Sequence, residues 1–180
     1  FYTGRFDGTF SNGVPFGENP STGDCRVCGS LASLCGLEAA LQRKDQSAID
    51  VAIKRIMLVH GIIFSIGGIP LLYSGDELGL LNDYDYANDA DKTHDARWVH
   101  RLSVEEEDIN IVMTATPAPS ANLHQQTKQA IFNGLQQLIE IRKQHPIFGK
   151  ASPDFINPDN QHCFGFVSQN KDGEKTTGQG

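Results

Sequence analysis

The sequence predicts an α/β fold with one buried parallel strand, followed by antiparallel β-structure. Three observations carry the prediction. Residues 47–66 and 122–143 repeat apolar side chains at helical spacing. Between them, Ile69-Pro70-Leu71-Leu72-Tyr73 is a short continuous apolar run, the pattern of a strand covered on both faces in a parallel sheet. Residues 162–168 then alternate as an antiparallel strand of a different layer does. A parallel strand needs neighbours on both sides, and no other run is of evident parallel type, so the expectation is an incomplete fragment of a larger sheet.

Taken in order, residues 1–29 are rich in Gly, Asn, Pro, Ser and Thr without helical or strand period, and read as a long ordered loop of the kind that carries function. A short helix is expected over 30–41, with Leu31, Leu34, Cys35 and Ala39 near one face. Ser47-x-x-Asp50 has the form of an N-terminal cap. The helix it opens keeps Ile49, Ile53, Ile56, Met57, Ile63 and Phe64 in period until Gly67-Gly68 ends it. Pro70 belongs at the start of its strand, because it cannot donate a ladder hydrogen bond. Residues 74–101 form a polar segment dense in Asp and Asn, and Pro117 and Pro119 mark another loop. Thr127, Ile131, Leu135, Leu138 and Ile141 place a second long helix over 122–143, closed by His145-Pro146. The tail 172–180 has no apolar anchor and is expected to fray.

A length of 180 residues suits one domain, and 39% apolar residues suffice for a core. The net charge of -7 argues against non-specific nucleic-acid binding, which needs a basic face. No apolar run is long enough to cross a bilayer, and no signal peptide is visible. Cys25-x-x-Cys28 has zinc-ligand spacing, but a second paired knuckle is missing: Cys35 lies in an amphipathic stretch and Cys163 stands apart. Free, mostly buried thiols in a reducing compartment fit better, which favours the cytoplasm. No metal or other cofactor is expected.

Ligands of parallel α/β sheets bind at the carboxyl ends of the strands, where Ser74-Gly75-Asp76-Glu77 falls. Adjacent residues on extended backbone point in opposite directions, so Asp76 and Glu77 read as acceptors for loop amides and nearby cations rather than as a catalytic pair. In the loop 81–98, Asp83, Asp85, Asn88, Asp89 and Asp91 are hard oxygen ligands but lack EF-hand spacing. Tyr84, Tyr86, Arg97 and Trp98 have the chemistry of a sugar site. Composition alone favours a solvated acidic loop with Trp98 as its core anchor. In the opening loop, Asn19, Asp24 and Arg26 could bind sugar hydroxyls, and Asp24 and Arg26 could equally brace the loop.

Gly67-Gly-x-Pro70-x-x-Tyr73-x-Gly75-Asp-Glu77-x-Gly79 resembles the segment around the eighth barrel strand in the α-amylase family of glycoside hydrolases. Four further stretches narrow the likeness: Gly4-Arg-Phe-Asp-Gly8, Gly13-Val-Pro-Phe16, Asn19-Pro-Ser-Thr-Gly-Asp-Cys-Arg26, and Leu81-Asn-Asp83 through Asp95-Ala-Arg-Trp98 with His100-Arg101. Together they resemble the amylosucrases, and the match runs to about residue 168.

The resemblance implies the C-terminal portion of a (β/α)8 TIM-type barrel followed by the start of an antiparallel β-domain. The chain would divide into 1–46, an acceptor-side loop region with a short helix; 47–145, the last barrel helices and eighth strand with its long loop; and 146–180, the start of the β-domain. It implies a retaining transfer of glucose from sucrose to an α-1,4-glucan with release of fructose, without a metal or nucleotide sugar. The catalytic carboxylates of such an enzyme would lie before Phe1. Arg97 matches the arginine that closes the base of the glucosyl pocket, and its acidic partner would also lie upstream. Arg26 matches an arginine at the acceptor or fructosyl subsite, with Asn19 and Pro20 on the same loop. Gly17 and Glu18 replace larger side chains of the family, which points to water or short acceptors and makes sucrose hydrolysis the alternative activity. Another α-glucosidase of the same family, or a non-catalytic glucan-binding fragment, are the further alternatives.

Overall fold

The fold comes from a computed structural model, which describes residues 1–4, 6–114, 120–150, 152–169 and 175–179. They form a mixed helix-and-strand structure with two small antiparallel sheets. The chain separates into two compact units, Phe1–Ile56 with Tyr73–Asn133, and Met57–Leu72 with Gly134–Gly180.

In the first unit the opening segment is not all loop. Strand β1 (Val14–Phe16) pairs antiparallel with β2 (Arg26–Cys28), Val14 opposite Cys28 and Phe16 opposite Arg26. Strands of three residues, one holding a proline, are too short to display a period of two. The helix expected over 30–41 is two helices, α1 (Leu31–Leu34) and α2 (Leu37–Arg43). Ser30 caps α1 by accepting from the Ser33 amide. Gly36 breaks the run at φ 97°, and a Cβ there would lie 2.9 Å from Cδ2 of Phe10.

Helix α3 (Gln46–Ser65) starts one residue before its expected position. Its cap is Asp45 rather than Ser47: Asp45 Oδ1 accepts from the Ala48 amide at 3.0 Å. Asp45 directly precedes the first helical residue, which puts its carboxylate within reach of the third helical amide. Ile49, Ala52 and Ile56 are buried along the first half of α3.

Helix α4 (Glu106–Met113) was not expected from the apolar pattern. Glu105 and Asp108 make a reciprocal capping box, and Asp108 also pairs with Lys128. Lys128 belongs to α5 (Leu123–Gln144), where Asn122 Oδ1 accepts from Gln125 N at 2.9 Å and Gln125 Oε1 accepts from Asn122 N at 3.0 Å. Leu78, Leu80 and Val112 form a buried cluster with Leu102, Val104, Ile111 and Phe132 packed on it. Gly79 turns the chain at φ 58° between two of these residues. The loop expected at Pro117 and Pro119 lies outside the described residues.

In the second unit, Gly134 of α5 brings that helix against α3: a Cβ there would be 2.6 Å from Met57 Sδ. The guanidinium of Arg142 donates to the carbonyls of Phe64, Ile66, Gly68 and Phe148, gathering the end of α3 and the short helix α6 (Ile147–Lys150) around one side chain. Strands β3 (Pro153–Ile156), β4 (Gly165–Gln169) and β5 (Lys175–Gln179) form an antiparallel sheet with β4 in the middle. The strand expected over 162–168 is thus β4, shifted to a later start. The tail expected to fray instead supplies β5, Gln169 opposite Lys175 and Gly165 opposite Gln179. A backbone ladder pairs N–H and C=O groups whatever the side chains. Residues 172–174 and 180 lie outside the described residues.

The largest departure is at 69–73. The buried parallel strand expected there is not formed: the segment joins no ladder, and Ile69 and Leu71 are 90% and 80% exposed. A strand of this composition is buried only by sheet neighbours, and no parallel pairing exists among the described residues.

Candidate functional site

The residues singled out for substrate contact all lie in the first unit. Asn19 and Pro20 sit in the loop joining β1 to β2. That loop is closed by Asn19 N donating to Asp24 O and Gly23 N to Asn19 O, both at 2.8 Å. Asn19 Oδ1 accepts from the Ser21 amide at 2.9 Å, a local turn in which the side chain stands in for backbone. Pro20 is exposed between them.

Arg97 lies in a 3-10 turn, Ala96–His100, that packs against both strands of the hairpin. Asp95 opens this turn and accepts from the Arg97 amide at 3.0 Å. The same carboxylate takes the Arg97 side chain in a fork, Nε to Oδ1 at 2.8 Å and Nη2 to Oδ2 at 2.8 Å. Arg101 Nη1 stands 3.8 Å from Asp95 Oδ2. These hydrogen bonds from the Arg97 side chain, then its amide, hold the Asp95 carboxyl down at about 2 and push the Arg97 guanidinium up. Asp95 is thus the carboxylate that Arg97 pairs with among the described residues. Sequence reading passed over Asp95 because it sits two residues from Arg97, a spacing that favours contact only once Asp95 caps a turn.

Phe16 brings the two arginines together. Arg97 lies 5.2 Å and Arg26 5.6 Å from the centre of its ring. Trp98 plays the same part for Lys92 at 5.4 Å and Arg101 at 5.0 Å. Trp98 is half-buried and not the anchor of its loop; Val99, fully buried, is the anchor.

The acidic loop braces itself. Asp83 Oδ1 accepts from Asp85 N at 2.8 Å, and Asp89 Oδ1 from Asp91 N at 2.9 Å while Oδ2 pairs with Lys92 at 3.0 Å. Among the described residues no group of three or more His, Cys, Asp or Glu side chains converges as a metal site. Tyr84 is exposed, yet its hydroxyl donates to the buried Glu38 at 2.9 Å. Asn82 joins that network: it accepts from the Ser30 amide at 2.8 Å and donates to the Asn12 carbonyl and, at 3.1 Å, to the Tyr84 hydroxyl oxygen. The acidic loop is thereby tied to the opening segment and to the cap of α1.

Glu77 accepts from the Gly75 amide at 2.8 Å, the loop-bracing role its position suggested. Beside it a cavity of about 300 Å³ is lined by Ser30, Tyr73, Ser74, Asp76 and His100 over a floor of leucines. His100 Nδ1 is buried without a protein partner, and its ring meets Tyr73 edge-on at 5.8 Å. Burial, with Arg101 second, lowers the His100 pKa, so the ring is neutral at pH 7. Cys28 and Cys35 are buried; burial pushes the Cys35 thiol up to about 11 and the Cys28 thiol in the same direction. Both are protonated and unreactive at neutral pH.

No protein-family model matches the chain. Among the described residues no helix is long and apolar enough to cross a membrane.

Proposed function

We propose that this chain is the substrate-contacting C-terminal part of the barrel of an amylosucrase-like enzyme, which transfers glucose from sucrose to an α-1,4-glucan. Arg97 serves the glucosyl pocket, and Arg26, Asn19 and Pro20 serve the acceptor side. The observation that carries the reading is convergence: Arg26 and Arg97, distant in sequence, flank one Phe16 ring, and Asn19 and Pro20 lie in the loop of the same hairpin. An arginine whose fork is fixed by Asp95 offers its remaining donors to sugar hydroxyls at little further entropic cost. The family's nucleophile and acid/base have no counterpart here in this reading, so catalysis belongs to the whole barrel. The apolar segment 69–73 is the eighth strand, whose exposure fits a strand awaiting its sheet neighbours.

The test on the chain itself is titration with sucrose and with maltooligosaccharides, followed residue by residue in amide NMR spectra. Saturable shifts confined to 17–26 and 95–101 are expected. Shifts spread over both units, or none, would contradict the assignment of these residues. The isolated chain is expected to release no fructose from sucrose.

A further inference from the structure

We propose that the arginine face formed by Arg26, Arg97 and Arg101 is a binding site for a phosphate group, either free phosphate or the phosphate of a phosphorylated sugar. The chain as a whole is acidic, at -7, yet this face gathers Arg26, Arg97, Arg101 and Lys92 around two aromatic rings. The carboxylates paired with them are Asp95, shared by Arg97 and Arg101, and Asp89, taken by Lys92. Among the described residues no carboxylate pairs with Arg26. The cations therefore outnumber their paired acids, and an anion is the ligand such an imbalance selects.

Geometry supports the same class of ligand. Asp95 occupies the Nε–Nη2 edge of Arg97, so the opposite edge of that guanidinium carries its remaining donors. Arg26 is exposed, its guanidinium carbon 5.6 Å from the centre of the Phe16 ring. Arg101 is 38% exposed and only loosely engaged by Asp95 at 3.8 Å. Three guanidiniums held by ring stacking and one shared carboxylate are pre-organised, and a tetrahedral dianion can accept from several forks at once. A neutral sugar gains no Coulomb energy from this excess of charge.

The experiment uses the full chain and follows the Nε–Hε NMR signals of arginine side chains during titration with inorganic phosphate, α-glucose 1-phosphate and glucose. Saturable shifts of Arg26, Arg97 and Arg101 with both phosphate compounds, weakening as salt rises, and none with glucose, are expected. Tighter binding of α-glucose 1-phosphate identifies a sugar phosphate as the ligand; equal binding identifies free phosphate. Arg26→Gln should weaken binding about tenfold, and Arg26→Lys, which keeps charge but loses the fork, by less. Unchanged backbone spectra verify the fold of each variant. Equal shifts of Arg43 and Arg55, or binding unaffected by Arg26→Gln, would overturn the proposal. This inference extends the acceptor-side reading of Arg26 but stands apart from the sucrose assignment. A chain that binds phosphate while its enzyme ignores sucrose would refute that assignment alone.

Discussion

Asp95 is the residue on which the geometry of the site turns. It caps the Ala96–His100 turn, closes the fork of Arg97 and stands near Arg101. The Arg97 fork holds its folded carboxyl down at about 2, below the usual carboxylate range. A depressed carboxylate contributes stability that is fully present above the unfolded value and is lost as pH falls through the folded one. The fork should therefore persist well below the usual carboxylate range and open as pH falls through about 2. NMR titration of the Asp95 carboxyl checks this, and Asp95→Asn should free the Arg97 side chain at every pH. His100 and His124 follow the same sign: burial lowers both from 6.5, so each contributes stability above that value and loses it as pH falls. Thermal midpoints should drop as pH is lowered from 6.5, less so in His100→Gln and His124→Gln. Arg97, Arg26 and Asn19 were visible in the sequence as polar groups suited to sugar hydroxyls, and Pro20 only through the family resemblance, but their partners were not. Phe16 and Asp95 acquire their roles from a hairpin and a turn too short to leave a periodic signal.

At the scale of elements, the long helices were legible because α3 and α5 each repeat an apolar stripe over several turns. Their ends were less so: Asp45 and Asn122 are caps identified by the hydrogen bonds they make. Helix α4 escaped notice because its signal is a cluster of acids at the first turn, Glu105 to Asp108, rather than a long apolar stripe. Arg142→Ala should destabilise by about 2–3 kcal/mol, because it strands carbonyls served by a charged donor. Arg142→Lys should recover only part of that, since an ammonium cannot span carbonyls arranged for a planar fork. Chemical denaturation measures both. Gly79→Ala should cost about 2 kcal/mol or more, since φ is 58° and the new Cβ would stand 2.5 Å from Ile131 Cδ1.

For the whole molecule, the mixed helix-and-strand class and the late antiparallel strand were readable from the sequence, whereas the exposure of 69–73 was not. Apolar composition reports what a segment needs, and burial depends on neighbours that sequence pattern alone does not supply. Replacing Ile69 and Leu71 by Asp should leave the stability of the isolated chain within about 0.5 kcal/mol, because little buried area is lost. The same pair of changes in the complete enzyme should prevent folding if 69–73 is a barrel strand. Sucrose chemistry gives the most direct test of the proposal: free fructose and free glucose released from sucrose by the proposed amylosucrase-like enzyme, measured beside its Arg97→Ala variant. Fructose in large excess over glucose, falling about a hundredfold in the variant, is the result expected of a glucosyl transferase with Arg97 in its donor pocket. No fructose, or fructose release indifferent to Arg97→Ala, would contradict it.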